Sequence, residues 1–188
     1  DNVADGYRTV AGPLAERPGA SVLVAGSGAI ALYAVWWAEK LGAGSVTFVS
    51  RDRTMVARAD RLGAAASRVD AWPKRFASHA VTVDCTGEPA GLAAVVRSTE
   101  AYGHCTSASI YFGGDTPMPL FDMNMKGIRF DTGRVNAAAL LPTVLALMAR
   151  HRLTPSTVAA SVVDWQDMPA ALLEGTFRPI ASRPASRE

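Results

Sequence analysis

The feature that most limits how this chain folds is a run of small residues, Gly26-Ser27-Gly28-Ala29-Ile30-Ala31. It follows Ser21-Val22-Leu23-Val24-Ala25, an apolar, β-branched run that reads as a buried strand. It opens a long apolar stretch, Ile30 to Leu41, that reads as a helix stopped by Gly42 and Gly44. Each small residue of Gly26-x-Gly28-x-x-Ala31 has a physical use. Gly26 permits the tight turn, Gly28 lets the backbone approach an anion, and Ala31 lets the helix pack closely on the strand. The first-turn N–H groups and the helix dipole then favour a phosphate. Between a strand and a helix, the pattern reads as the pyrophosphate turn of a dinucleotide-binding domain rather than a glycine-rich turn without a ligand.

The same alternation continues down the chain. Helical spacing covers Val3 to Leu14, with the N-terminal helix bounded at 3–15. Val46-Thr47-Phe48-Val49 reads as a second strand, and Arg53 to Leu62 as a helix with Asp52 as N-cap and Gly63 past its end. Strands are expected at Ala66–Val69, Ala80–Asp84, His104–Ile110 and Gly127–Asp131, with a short one at Val162-Val163. Helices are expected at Pro89–Arg97, Ala138–Arg150 and Met168–Leu173. Such alternation implies right-handed βαβ units and an α/β, doubly wound parallel sheet in three layers. The dinucleotide-binding domain is expected over 1–177, and 178–188, with two Pro and three Arg, as a weakly ordered tail.

The adenosine end is read from position 50. Ser50 stands 24 residues after Gly26, where an acidic residue would bind the ribose 2′-hydroxyl. Ser50-Arg51 stands there instead. A carboxylate would repel a 2′-phosphate, whereas a hydroxyl followed by a guanidinium would bind one, with Arg forking onto two oxygens. This favours NADP(H) over NAD(H). Two alternatives stay open: Asp52 takes the acidic role if the strand runs two residues longer, or Arg51 and Arg53 are simply solvated charges.

Several stretches, in order, resemble the cofactor domain of zinc-type medium-chain alcohol dehydrogenases. They are Val24-Ala25-Gly26-Ser27-Gly28-Ala29-Ile30, Ala38-Glu39-Lys40-Leu41-Gly42-Ala43, Ala59-Asp60-Arg61-Leu62-Gly63-Ala64, Val83-Asp84-Cys85-Thr86-Gly87 and Lys126-Gly127-Ile128. The resemblance implies a six-stranded Rossmann fold and hydride transfer between a nicotinamide cofactor and an alcohol or carbonyl. It also implies that Cys85, Thr86 and Gly87 lie alongside the cofactor. Ala108, Ser109 and Ile110 match the segment by the nicotinamide ribose and carboxamide, although the family usually has Gly where Ser109 stands. Val135 and Asn136 match a further loop approaching the nicotinamide. In that family the catalytic zinc ligands and substrate pocket come mainly from a preceding GroES-like domain, which this sequence does not contain. The chain begins at Asp1 without an initiator Met, so a fragment of a longer protein is in view. By itself it is expected to bind cofactor without completing the reaction, and no catalytic residue is assigned. The complete enzyme is expected to be a homodimer or homotetramer, with the edge strand His104–Ile110 and Gly113–Leu120 pairing across a two-fold axis.

Other chemistries find no support. Cys85, Cys105, His79, His104 and His151 show no paired metal-ligand spacing, and adjacent His104 and Cys105 point to opposite faces of a strand. No Tyr is followed four residues later by Lys, no G-K-[ST] follows the glycines, and no G-x-S-x-G occurs. A methyltransferase usually has an acidic residue just before its glycines, where Val24-Ala25 stands. Net charge of +2 favours neither nucleic acid nor an acidic membrane. Two cysteines and no signal peptide fit a cytoplasmic protein. One of Trp36 and Trp37 is expected in the core and the other at a domain or subunit contact. The rival reading is a cofactor-binding module without catalysis, serving as a redox sensor or dimerisation domain.

Overall fold

The computed structural model describes residues 1–183. Its chain runs α1 (Asn2–Glu16), β1 (Ser21–Gly26), α2 (Ala29–Lys40), β2 (Ser45–Ser50), α3 (Arg53–Arg61), β3 (Ala65–Arg68), β4 (His79–Cys85), α4 (Pro89–Arg97) and β5 (Thr99–Ser107). It continues through α5 (Leu120–Lys126), β6 (Arg129–Thr132), α6 (Ala137–His151), α7 (Pro155–Val158), β7 (Ser161–Asp164), α8 (Met168–Leu173) and β8 (Pro179–Ser182). Six strands form one parallel sheet in the order β3-β2-β1-β4-β5-β6. This is the doubly wound Rossmann order expected.

Burial on both faces is why β1 and β4 read as continuous apolar runs rather than alternating ones. One face is covered by α1, α2, α3 and α6, around Val22, Val24, Phe48 and Trp37. The other is covered by α4 and α5, around Ala25, Leu92, Val95 and Cys105. Asp52 caps α3 as expected, its Oδ1 accepting from the N–H of Thr54 at 2.7 Å and of Met55 at 3.4 Å.

Trp36 and Trp37 are both core residues, so neither marks an exposed contact. Trp37 is fully buried, donates Nε1–H to the Val3 carbonyl at 3.0 Å, and meets Trp36 edge to face at 4.7 Å. The cause is α1, which lies along α2 and covers it.

Three further expectations are corrected. The fifth strand occupies Thr99–Ser107, starting earlier and ending before Ala108. It is not an edge strand, because β6 pairs along it from His104 to Ser107. The stretch from residue 178 is not all weakly ordered: Pro179–Ser182 pairs in parallel with β7, while residues 184–188 lie outside the described residues. The helix Leu120–Lys126 was unsignalled, since none of its residues is buried and no apolar stripe marks it.

Candidate functional site

In an open parallel sheet the crevice lies beyond the carboxyl ends of the strands where the strand order reverses, here between β1 and β4. The Gly26–Ala31 turn sits at that point. Gly26 closes β1 with φ +127°, and a Cβ there would run into the Cys85 carbonyl at the end of β4. The same carbonyl accepts the Ser27 N–H at 3.2 Å, locking the two strand ends together.

Gly28 has φ +92°, yet a Cβ there would meet open space. It is the N-cap of α2, and no side chain caps that helix among the described residues. The positive end of a 12-residue helix therefore opens beside a residue with no side chain. These residues fit a pyrophosphate: the free N–H groups suit its oxygens and the missing Cβ lets it approach.

Three adjoining hollows follow the crevice. The middle one, about 220 Å³, is bordered by Ser27, Gly28, Ala29, Ile30, Cys85, Ala108, Ser109 and Arg178. On the β2 side lies a polar hollow of about 330 Å³, bordered by Gly26, Ser27, Ser50, Arg51, Arg68, Trp72, Thr86 and Glu88 among others. On the β5 side lies the largest, about 800 Å³, with Ile30, Ala108, Ser109, Ile110, Tyr111 and Val135 on its walls. The middle hollow shares Ser27 with one neighbour and Ile30, Ala108 and Ser109 with the other, and the residues expected along a dinucleotide border these hollows, Gly87 and Asn136 excepted. Gly87 and Asn136 make local hydrogen bonds instead. Gly87 donates its N–H to Ser109 Oγ at 3.0 Å, and Asn136 caps α6 by accepting from the Ala139 N–H at 3.4 Å.

The β2 side, where Ser50 and Arg51 are expected to take a 2′-phosphate, shows both side chains already engaged. Ser50 is buried, and its Oγ accepts the Asp52 N–H at 3.1 Å. Asp52 is committed to capping α3. Arg51 Nη1 forks onto both carboxylate oxygens of Glu88, at 3.0 and 3.2 Å.

Between the two ends lies a polar knot around Asp84, which is fully buried. Its Oδ1 accepts from the N–H and hydroxyl of Thr86, at 3.0 and 2.7 Å. Its Oδ2 accepts from Ser107 Oγ and Tyr111 Oη, both at 2.7 Å. Desolvation first, and the Asp84 carboxylate second, push the Tyr111 hydroxyl well above its ordinary ionisation range, so it remains a hydrogen-bond donor. Burial likewise raises Cys85, with Asp84 adding to the effect, and pushes Cys105 up to about 12. Among the described residues no group of three His, Cys, Asp or Glu could hold a metal ion.

Sequence reasoning missed Asp84, Tyr111, Glu88, Arg68 and Arg178 as site residues. For Asp84 a signal existed: a carboxylate closing an otherwise apolar strand must be satisfied by partners. For Arg178 none did, because its position depends on β8 pairing with β7.

No protein-family model matches the sequence, and no curated protein matches it. Solved structures do. The alcohol dehydrogenase TADH from Thermus sp. ATN1 superposes with a TM-score of 0.81 at 21% identity, over 98% of this chain and 56% of that one. A putative zinc-binding dehydrogenase from Sinorhizobium meliloti 1021, bound to NADP, superposes at 0.75 with 20% identity, over 92% and 53%. An alcohol dehydrogenase (rspB) from E. coli CFT073, complexed with NADH, superposes at 0.71 with 15% identity, over 92% and 52%. The chain therefore has the fold of about half of each of these proteins, and spans a little over half their length.

Proposed function

We propose that this chain is the nicotinamide-dinucleotide-binding half of an alcohol dehydrogenase-like oxidoreductase, and that it takes NADP(H) in preference to NAD(H). The observation that carries this reading is Gly28: a positive-φ glycine with open space at its missing Cβ, heading a helix that no side chain caps among the described residues. The fold shared with dehydrogenases, two of them holding NADP or NADH, supports the same reading.

In this reading residues 1–177 form the dinucleotide unit. The N–H groups at the start of α2, with Gly26, Ser27, Gly28, Ala29 and Ile30, hold the pyrophosphate, and Arg178 adds a cation beside it. Ser50 and Arg51 face the 2′-phosphate, with Thr86 beside the adenosine. Cys85 and Gly87 flank the middle of the cofactor. Ala108, Ser109, Ile110, Val135 and Asn136 surround the nicotinamide end. The cofactor, when bound, supplies a hydride acceptor or donor for an alcohol or carbonyl. The chain's own residues orient it and exclude water from one side, which is half of the alignment such a transfer needs. The substrate pocket, any zinc and the proton-moving groups belong to the complete enzyme, proposed to be a homodimer or homotetramer.

Titration of the intact chain with NADPH, followed by tryptophan fluorescence, tests this reading. Saturable binding that Gly28→Ala weakens supports it. Binding of neither NADPH nor NADH contradicts it.

A further inference from the structure

The polar hollow beyond β2 is bordered by a second guanidinium, that of Arg68. We propose that Arg68 completes a two-arginine clamp for the 2′-phosphate, and that Glu88 and Asp70 hold the two arginines in position until a phosphate displaces them. This rests on the NADP(H) reading above.

The sheet fixes the two cations side by side. Ser50 and Arg68 are register partners across β2 and β3, and the Val69 N–H donates to the Ser50 carbonyl at 3.0 Å. Arg68 Nε donates to the Arg51 carbonyl at 3.3 Å, which ties its head to the strand end that bears Arg51. Both arginines border the same hollow of about 330 Å³, alongside Ser27 and Ser50. A phosphomonoester there meets two planar forks, and each offers donors that match its oxygens.

The carboxylates explain how two cations are kept together without a ligand. Arg51 is paired with Glu88, and Arg68 Nη2 lies 2.8 Å from Asp70 Oδ1. All four side chains are substantially exposed, at 51%, 46%, 39% and 87% respectively. Such pairs are weak because water screens them. A phosphate dianion, with three oxygens and more charge than either carboxylate, outcompetes them for the same donors. Asp52, Asp70 and Glu88 all border the hollow. Because Asp70 is far more exposed and Asp52 caps α3, Glu88 is the most consequential counter-ion. Its negative charge opposes the phosphate, so it sets how strongly the site prefers a phosphorylated ribose over a plain one.

Isothermal titration of the full chain with 2′,5′-ADP and with 5′-AMP tests the clamp, using the chain itself, Arg68→Gln and Glu88→Gln. Thermal unfolding of each variant checks that it is folded. The unaltered chain is expected to bind 2′,5′-ADP about tenfold or more tighter than 5′-AMP. Arg68→Gln is expected to lower 2′,5′-ADP affinity about fivefold or more and leave 5′-AMP unchanged. Glu88→Gln is expected to tighten 2′,5′-ADP by about threefold or more. A preference that survives intact in Arg68→Gln overturns the clamp and leaves the NADP(H) reading standing on Arg51. No preference in the unaltered chain overturns that reading and the clamp with it. Weakened 5′-AMP binding in Glu88→Gln, with no gain for 2′,5′-ADP, makes Glu88 a ribose-hydroxyl acceptor and overturns its role as counter-ion.

Discussion

Tyr111 Oη donates to Asp84 Oδ2 at 2.7 Å, bridging the loop after β5 to a carboxylate at the end of β4. Asp84 is fully buried, and Ser107 and Thr86 supply its remaining donors. A charge in that position is tolerated because its oxygens are satisfied. The knot also holds the backbone of Cys85, Thr86 and Ser107 where the groove needs it.

Tyr111→Phe removes one donor and leaves Asp84 with the others. We expect a loss of about 1–2 kcal/mol in urea unfolding. Asp84→Ala, which removes the acceptor shared by the Ser107 and Tyr111 hydroxyls and one acceptor of Thr86, is expected to lose more than Tyr111→Phe. Equal stability of Tyr111→Phe and the unaltered chain would show that the knot contributes nothing.

The two glycines of the turn separate folding from binding. Gly26→Ala combines a φ of +127° with a collision against the Cys85 carbonyl, so a loss of about 2 kcal/mol or more is expected. Gly28→Ala meets no atom of the described residues within 4 Å. It is expected to cost about 1 kcal/mol for its positive φ and to weaken NADPH by about tenfold. Chemical denaturation and fluorescence titration of both variants check this; the same pattern of losses in the two contradicts it.

Asp52→Ala removes the cap of α3 and is expected to cost about 1 kcal/mol. Because the carboxylate serves the helix, the ratio of NADPH to NADH affinity is expected to stay within about twofold. A large change in that ratio would give Asp52 the ribose after all.

Cys105 predicts a pH dependence. Burial raises its folded pKa from 9.0 to about 12. The folded state therefore favours the thiol, and the associated stability is fully present below about pH 9 and lost as pH rises toward 12. Urea midpoints should fall across that window, and Cys105→Val should flatten the fall. The raised Tyr111 acts in the same direction, so part of the slope remains. An unchanged slope in Cys105→Val contradicts the assignment.

Much of the fold was legible because its signals are local. The Gly26–Ala31 turn, the Asp52 cap and the apolar runs of β1 and β4 each state their structure in a few residues. The site was legible only where it lies on one local segment. Arg51 could be named from its place after β2, but its partner Glu88 lies 37 residues away in sequence. Arg68 reaches the same hollow only through the register of β2 with β3. The start of β5 was hidden because Glu100, Ala101 and Tyr102 are exposed and carry no buried-strand pattern, and Tyr102 adopts φ 57°. Pairing and register are long-range facts, and no spacing within one segment encodes them.

Selection of NADP(H) through Arg51 is read from the ratio of NADPH to NADH dissociation constants in the chain and in Arg51→Asp. NADPH is expected to bind more tightly than NADH to the unaltered chain, with the preference reversed in Arg51→Asp. Equal affinities, tighter NADH, or a ratio that Arg51→Asp leaves unchanged would contradict it.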